Sequence, residues 1–275
     1  NGIWKNSYLW DLYKKAHTPF KWHREAFKIA KKHKGTIFSS PFSIRAVDFL
    51  EKLNVQLYKI ASFEITDLKL IHYIASKKKP IILSTGMSSL KEIKSAIKII
   101  NKFHKKIILL HCVSNYPTHI KDTNPSRINN LKKIFKNYPI GLSDHTNDIF
   151  SSIAAMPLGI VAIEKHYKLS DKEKTPDSKF SITPSKLLQL KQNSVGIFES
   201  FKKNKLQKIN KESLKLRRSI FTTKKIKKND KITYNNIETY RPKIGLPASE
   251  YFKIIGKKAK KDLKPFTPLT KNHLK

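Results

Sequence analysis

From residue 36 onward the chain alternates short apolar, β-branched runs with amphipathic segments. The runs are Thr36–Ser39 (TIFS), Leu57–Ala61 (LYKIA), Ile81–Ser84 (IILS), Ile107–His111 (IILLH), Ile140–Leu142 (IGL) and Ile160–Ile163 (IVAI). Each is short, apolar and followed by polar residues, the pattern of a buried strand. The segments between them predict helices over Arg45–Leu53, Leu68–Ser76, Ser89–Phe103, Asn129–Phe135 and Ile149–Met156. The third is the clearest. Leu90, Ile93, Ile97 and Ile100 share one face, and Ser88 or Ser89 stands where an N-cap belongs. Successive runs begin 20 to 33 residues apart, which is the spacing of parallel βα units. Six such strands suit either an open doubly wound sheet or a (β/α)8 barrel that lacks its first two βα units.

After Ile163 the pattern changes. Lys186–Phe201 predicts one more helix, and a Lys/Asn-rich linker follows over 202–215. From Leu216 the chain reads as short strands and turns, with a turn at Lys228–Asn229–Asp230 and a break at Gly245–Leu246–Pro247. The domains predicted are therefore 1–201, an α/β domain, and 216–275, a small β-rich domain.

Composition narrows the class. The 275 residues are 39% hydrophobic and 10% aromatic, enough for a real core and against a disordered chain. No stretch approaches the roughly 18 consecutive apolar residues of a membrane span, and the first residues do not read as a signal peptide. The single cysteine, Cys112, fits a reducing compartment such as the cytoplasm. Lys plus Arg is 57 against 20 Asp plus Glu, a net +37, which raises nucleic acid or anionic membrane as partners. Yet only six of the 57 are Arg, the residue that reads bases and phosphates bidentately. A general drift toward Lys, Asn and Ile explains the charge better, so neither nucleic acid nor membrane is expected as a partner.

Parallel α/β sheets bind ligands at the carboxyl ends of their strands. All six run ends are polar: Ser39-Ser40, Lys59 with Ser62 and Glu64, Ser84-Thr85-Gly86, His111-Cys112 with Ser114, Ser143-Asp144-His145, and Glu164-Lys165-His166. Ser40, Ser62, Ser84 and Ser143 offer hydroxyl donors and Lys59 a cation, a set suited to phosphate or carboxylate. His145 and His166 end adjacent runs and could share one divalent ion with open positions, or each could be an ordinary core or surface histidine. His111 and Cys112 read as buried strand residues. Neither GxGxxG nor a Walker loop occurs, so no nucleotide cofactor is implied.

In order, FSSPF, YKIASFEITD, PIILSTGM, LLHCVSNYP, GLSDHT and IEKHY resemble the sialic acid synthase family. Thr18–His23 (TPFKWH) and Phe63 before Glu64 resemble its pseudaminic acid branch. RRSIFTTKKIKKND and YRPKIGL resemble the family's antifreeze-like or SAF domain. The resemblance implies a (β/α)8 TIM-type barrel followed by that domain. It implies condensation of phosphoenolpyruvate with a six-carbon acetamido-trideoxyhexose to a nine-carbon keto acid plus phosphate. Mn2+ or Mg2+ would be held by His145 and His166. Phosphoenolpyruvate contacts carry over to Ser40, Lys59, Ser62, Ser84, Ser114 and Ser143. Glu64 would bind substrate or assist proton transfer, and Tyr116 and Asp177 would border the sugar. A domain-swapped homodimer is implied, with Arg241 supplied to the sugar by the partner's SAF domain.

Two family residues, a first-strand Glu and a second-strand Lys, have no counterpart here. With the absence of an initiator Met, this leads to the expectation of an N-terminally truncated sequence, and of an inactive copy if nothing precedes it. Legionaminate or N-acetylneuraminate synthesis are the alternative products. A Schiff-base aldolase using Lys59 or Lys165 and a basic nucleic-acid-binding protein are the readings from other classes.

Overall fold

The computed structural model describes residues 8–202 and 209–275, in two compact units that divide at Lys203–Asn204. The first unit opens with helices α1 (Leu9–Ala16) and α2 (Phe20–Lys32), for which the sequence reading set no elements. Phe20 stacks on Phe49 with ring centroids 4.3 Å apart, and Phe27 packs against the main core.

Then βα units follow: α3 (Ile44–Lys52), β1 (Tyr58–Ile60), α4 (Leu68–Ser76), β2 (Ile81–Ser84), α5 (Leu90–Ile100), β3 (Ile107–Cys112), α6 (Ser126–Ile134), β4 (Ile140–Asp144), α7 (Phe150–Ala155), β5 (Ile163–Lys165) and α8 (Pro184–Lys202). The strands pair in parallel in the order β1-β2-β3-β4-β5. A doubly wound sheet reverses its strand order at a switch point; this one never does. The order is that of a barrel wall, and the doubly wound alternative falls.

The first predicted strand does not form as an element. Only Ser39 bridges Tyr58, in parallel. Pro41 follows two residues later and has no N–H to continue a ladder. The last run is displaced: the strand is Ile163–Lys165, not Ile160–Ile163. Gly159, at φ +71°, ends the preceding turn, and the polar Glu164 and Lys165 lie inside the strand because both have partners there.

Helix α5 shows how local chemistry and packing agree. Ser89 accepts from the Glu92 amide, and Glu92 accepts in return from the Ser89 amide, a complete capping box. Ile93, Ala96, Ile97 and Ile100 are buried, each isoleucine contributing on the order of 1.5–3 kcal/mol. They join Tyr58, Ile60, Leu83 and Leu109 in the main core.

Lys59 on β1 and Glu164 on β5 lie 3.4 Å apart. In a flat sheet, strands four places apart would stand roughly 19 Å from each other. The wall therefore curls until its outer strands face across a common cavity.

In the second unit, α9 (Lys211–Lys215) occupies part of the predicted linker, and 203–208 lie outside the described residues. Strands β6 (Ser219–Thr222) and β7 (Ile237–Tyr240) pair antiparallel; α10 (Tyr251–Ile254) is one turn. Asn229 adopts φ +73° and its amide donates to the Ala259 carbonyl at 2.8 Å, so the turn read from the sequence folds onto a later segment rather than closing a tight hairpin. Ile220, Ile226, Ile232, Ile237, Leu263 and Leu269 form this unit's own core.

Candidate active site

Because β1–β5 are parallel, their carboxyl ends gather at one rim, in register. Cys112 pairs with Ser143, Ser143 with Glu164, and Asp144 with Lys165. Lys59 is buried, and its Nζ donates to Ser84 Oγ at 2.8 Å while facing Glu164 at 3.4 Å. Ser143 donates to the other Glu164 oxygen at 2.6 Å. One cation, one carboxylate and two hydroxyls thus span the cavity.

A second group sits beside it. The Gly86 amide donates to Ser62 Oγ at 3.0 Å. Cys112 Sγ lies 3.8 Å from both Ser114 Oγ and His145 Nδ1. Burial pushes the Cys112 thiol up, but the His145 contact and the serine hydroxyls outweigh it and hold the thiol below its ordinary value. Burial likewise opposes the charge on His145, and the Cys112 sulfur and Val113 carbonyl raise it overall.

The two histidines converge. Their ring centroids are 5.3 Å apart. Tyr116 lies 4.2 Å from the His145 ring, and Phe180 packs edge-on to His166 at 4.7 Å. Burial raises the Tyr116 phenol, keeping it protonated. His145 Nδ1 meets the Val113 carbonyl at 2.9 Å, and His166 Nδ1 meets Asp177 at 3.3 Å. Each Nδ1 thereby serves as the donor, which leaves the lone pair on Nε2 in both rings. That donor set fits a divalent cation held by two imidazoles, with the remaining positions filled by water or substrate. No group of three or more His, Cys, Asp and Glu poised around one point occurs among the described residues.

Glu64 follows β1. Burial raises its carboxyl above the ordinary range, against the pull of Lys59. Its Oε2 is buried and has no hydrogen-bond partner among the described residues.

Of the predicted residues, Lys59, Ser84 and Ser143 are brought together through Glu164; Ser62, Ser114 and His145 gather around Cys112; Tyr116, His166 and Asp177 complete the ring cluster. Ser40 is half-buried just beyond the Ser39 bridge, and among the described residues it bonds none of the others. Arg241 follows β7 in the second unit and is exposed. Glu164, Cys112, Gly86 and Phe180 also belong to the site, beyond the residues expected from the sequence. For Glu164 a signal existed: it stands two residues before His166, hence on the same face of a strand. Lys165 Nζ is engaged by Asp144 at 3.2 Å and the Thr146 carbonyl at 2.6 Å. With Lys59 bonded as well, neither amine is presented as a free Schiff-base nucleophile.

Comparison with known proteins places the chain among relatives. The sequence model of the NeuB family matches residues 1–206, and that of the SAF domain residues 217–275. Pseudaminic acid synthase of Helicobacter pylori is 42% identical over 98% of this chain and 80% of its own length. Pseudaminic acid synthase of Campylobacter jejuni is 36% identical over 96% and 77% respectively. Among solved structures, the N-acetylneuraminic acid (sialic acid) synthetase of Leptospira borgpetersenii, crystallised with citrate, superposes with a TM-score of 0.69 at 32% identity, covering 74% of this chain and 71% of that one.

Proposed function

Because the chain belongs to the NeuB family, we propose that it is a nonulosonic acid synthase. On this reading it joins phosphoenolpyruvate to a six-carbon acetamido sugar aldehyde, and its product is pseudaminic acid. The five-stranded parallel sheet is read as part of a (β/α)8 wall, and residues 216–275 as the SAF domain that lends Arg241 to a partner's sugar site in a dimer. The enzyme is taken to work in the cytoplasm.

The observation that carries the proposal is the pairing of two chemistries at one rim. Lys59, Ser84 and Ser143 form a cation-and-hydroxyl set, and the convergent His145 and His166 stand beside it. The first set suits the phosphate and carboxylate of phosphoenolpyruvate. Ser62 and Ser114, beside the Gly86 amide, and Ser40 extend it. His145 and His166 would hold Mn2+ or Mg2+ through Nε2. That ion supplies a Lewis acid for the sugar aldehyde oxygen.

The residues then have simple tasks. The carbon–carbon bond forms between C3 of phosphoenolpyruvate and the aldehyde carbon, and water adds at C2. Lys59 and the serines steady the anion that collapses with loss of phosphate. Glu64, its carboxyl raised by burial, is placed to give or take a proton at the reacting centre. Tyr116 and Asp177 flank the sugar's path.

The test is phosphate release. Enzyme with Mn2+ should release phosphate from phosphoenolpyruvate only when the acetamido sugar is present, and His145→Ala or His166→Ala should abolish release. Sugar-independent release, or full activity in both variants, overturns the proposal. Legionaminic and neuraminic precursors, offered in parallel, decide the sugar.

A further inference from the structure

Strand alternation sorts β4 and β5 into two layers. Ser143 and His145, and opposite them Glu164 and His166, point to the cavity; the intervening Asp144 and Lys165 are register partners on the other face. There, Lys165 Nζ lies 3.2 Å from Asp144 Oδ2 and donates to the Thr146 carbonyl at 2.6 Å, with Thr146 Oγ1 at 3.2 Å. Asp144 also accepts from the Thr146 amide at 2.9 Å and from the Ser152 hydroxyl at 2.6 Å. The two side chains are 4% and 1% exposed, so neither charge is solvated.

The connectivity is specific. Asp144 and Thr146 flank His145, and Lys165 immediately precedes His166. A single ammonium therefore fastens both neighbours of one imidazole to the neighbour of the other. Apolar residues of similar size would hold two strands together as well or better; what the ion pair adds is a fixed relation between two backbone points. We propose that the Asp144–Lys165 pair is a positioning device that sets the separation of His145 and His166, and with it the affinity of the site for a divalent cation. This rests on the two-imidazole reading of the site. Both side chains are buried on the face of the wall away from the cavity, so they are positioning rather than catalytic residues.

The experiment measures Mn2+ binding by electron paramagnetic resonance titration and phosphoenolpyruvate binding by calorimetry, with Tm alongside. Lys165→Met alone leaves a buried unpaired carboxylate, so the working variant pairs Asp144→Asn with Lys165→Met. The paired variant should bind Mn2+ on the order of 10- to 100-fold more weakly, the usual loss when a ligand's outer partner is removed, while phosphoenolpyruvate binding stays within about threefold. Unchanged Mn2+ affinity in the folded variant overturns the inference. So does an equal fall for both ligands, which general loosening would produce. If the paired variant does not fold, Lys165→Arg keeps the charge and alters its reach; weakened Mn2+ binding at a held Tm supports the inference, and unaltered binding overturns it. A parent protein that binds no Mn2+, or binds it equally after His145→Ala, refutes the two-imidazole reading itself without any change at 144 or 165.

Discussion

Gly86 shows how much one residue decides. A Cβ there would stand 2.8 Å from Ser62 Oγ, 3.1 Å from Cys112 Sγ and closer still to Ser114 Oγ. Only glycine lets those groups surround the amide that Ser62 accepts from. Gly86→Ala is expected to lower kcat/KM for phosphoenolpyruvate on the order of 10- to 100-fold by shifting donors about an ångström, with most of the loss in KM. In a Ser114→Ala background the added loss should be much smaller, because the nearest colliding hydroxyl is gone; full additivity would argue against this origin. Glu64 makes a separate case. Its folded carboxyl is raised by burial, so its contribution to stability is full below the ordinary value of 4.5 and is lost as pH rises through the raised folded value. Glu64→Gln should raise Tm at pH 8 relative to the parent and bring no gain at pH 4; a lowered Tm at pH 8 would mean that the ionised form has an undetected partner. These residues also mark the limit of sequence reading. Lys59, Ser84 and Ser143 were legible because position at a strand end is a local property. Cys112 is not, because what makes it a site residue is a partner 33 positions away; Glu164 is placed by its alternation with His166, but its partner Lys59, 105 positions away, appears only in the fold.

At the scale of elements, the most legible were those whose pattern and caps agree. Leu68–Ser76 matches its reading, and α5 begins where Ser89 caps it. Removing that cap, Ser89→Ala, should cost about 1 kcal/mol, seen as a lower Tm with KM unaltered; an unmoved Tm would show that packing alone fixes the helix start. The failures have equally physical causes. β5 begins three residues later than the apolar run predicts, because a strand whose polar residues are partnered on both faces looks like a strand end in sequence. The run ending at Ser39 predicts a strand and forms only a bridge, because apolarity says nothing of how many neighbours a strand will find. Helix α2 does carry a helical signal, since its half-buried residues His23, Ala26, Phe27 and Ala30 recur at helical spacing.

The whole molecule consists of two units with separate cores. Calorimetry of the intact chain should resolve two unfolding transitions, with a substrate or metal bound at the β-strand rim raising only the one that belongs to the larger unit; a single transition would show that the cores unfold as one. The charge of +37 predicts weak retention on nucleic acid that vanishes near physiological salt; retention that persists there would revive a binding role. The contact between Lys59 and Glu164 has a consequence of its own. It works as a buckle: it joins the first and last strands of the sheet, and no shorter stretch of the chain contains both halves. Mild denaturant that merely springs the wall open should silence catalysis while the helices still register in circular dichroism, so turnover becomes a gauge of closure and not of folded content.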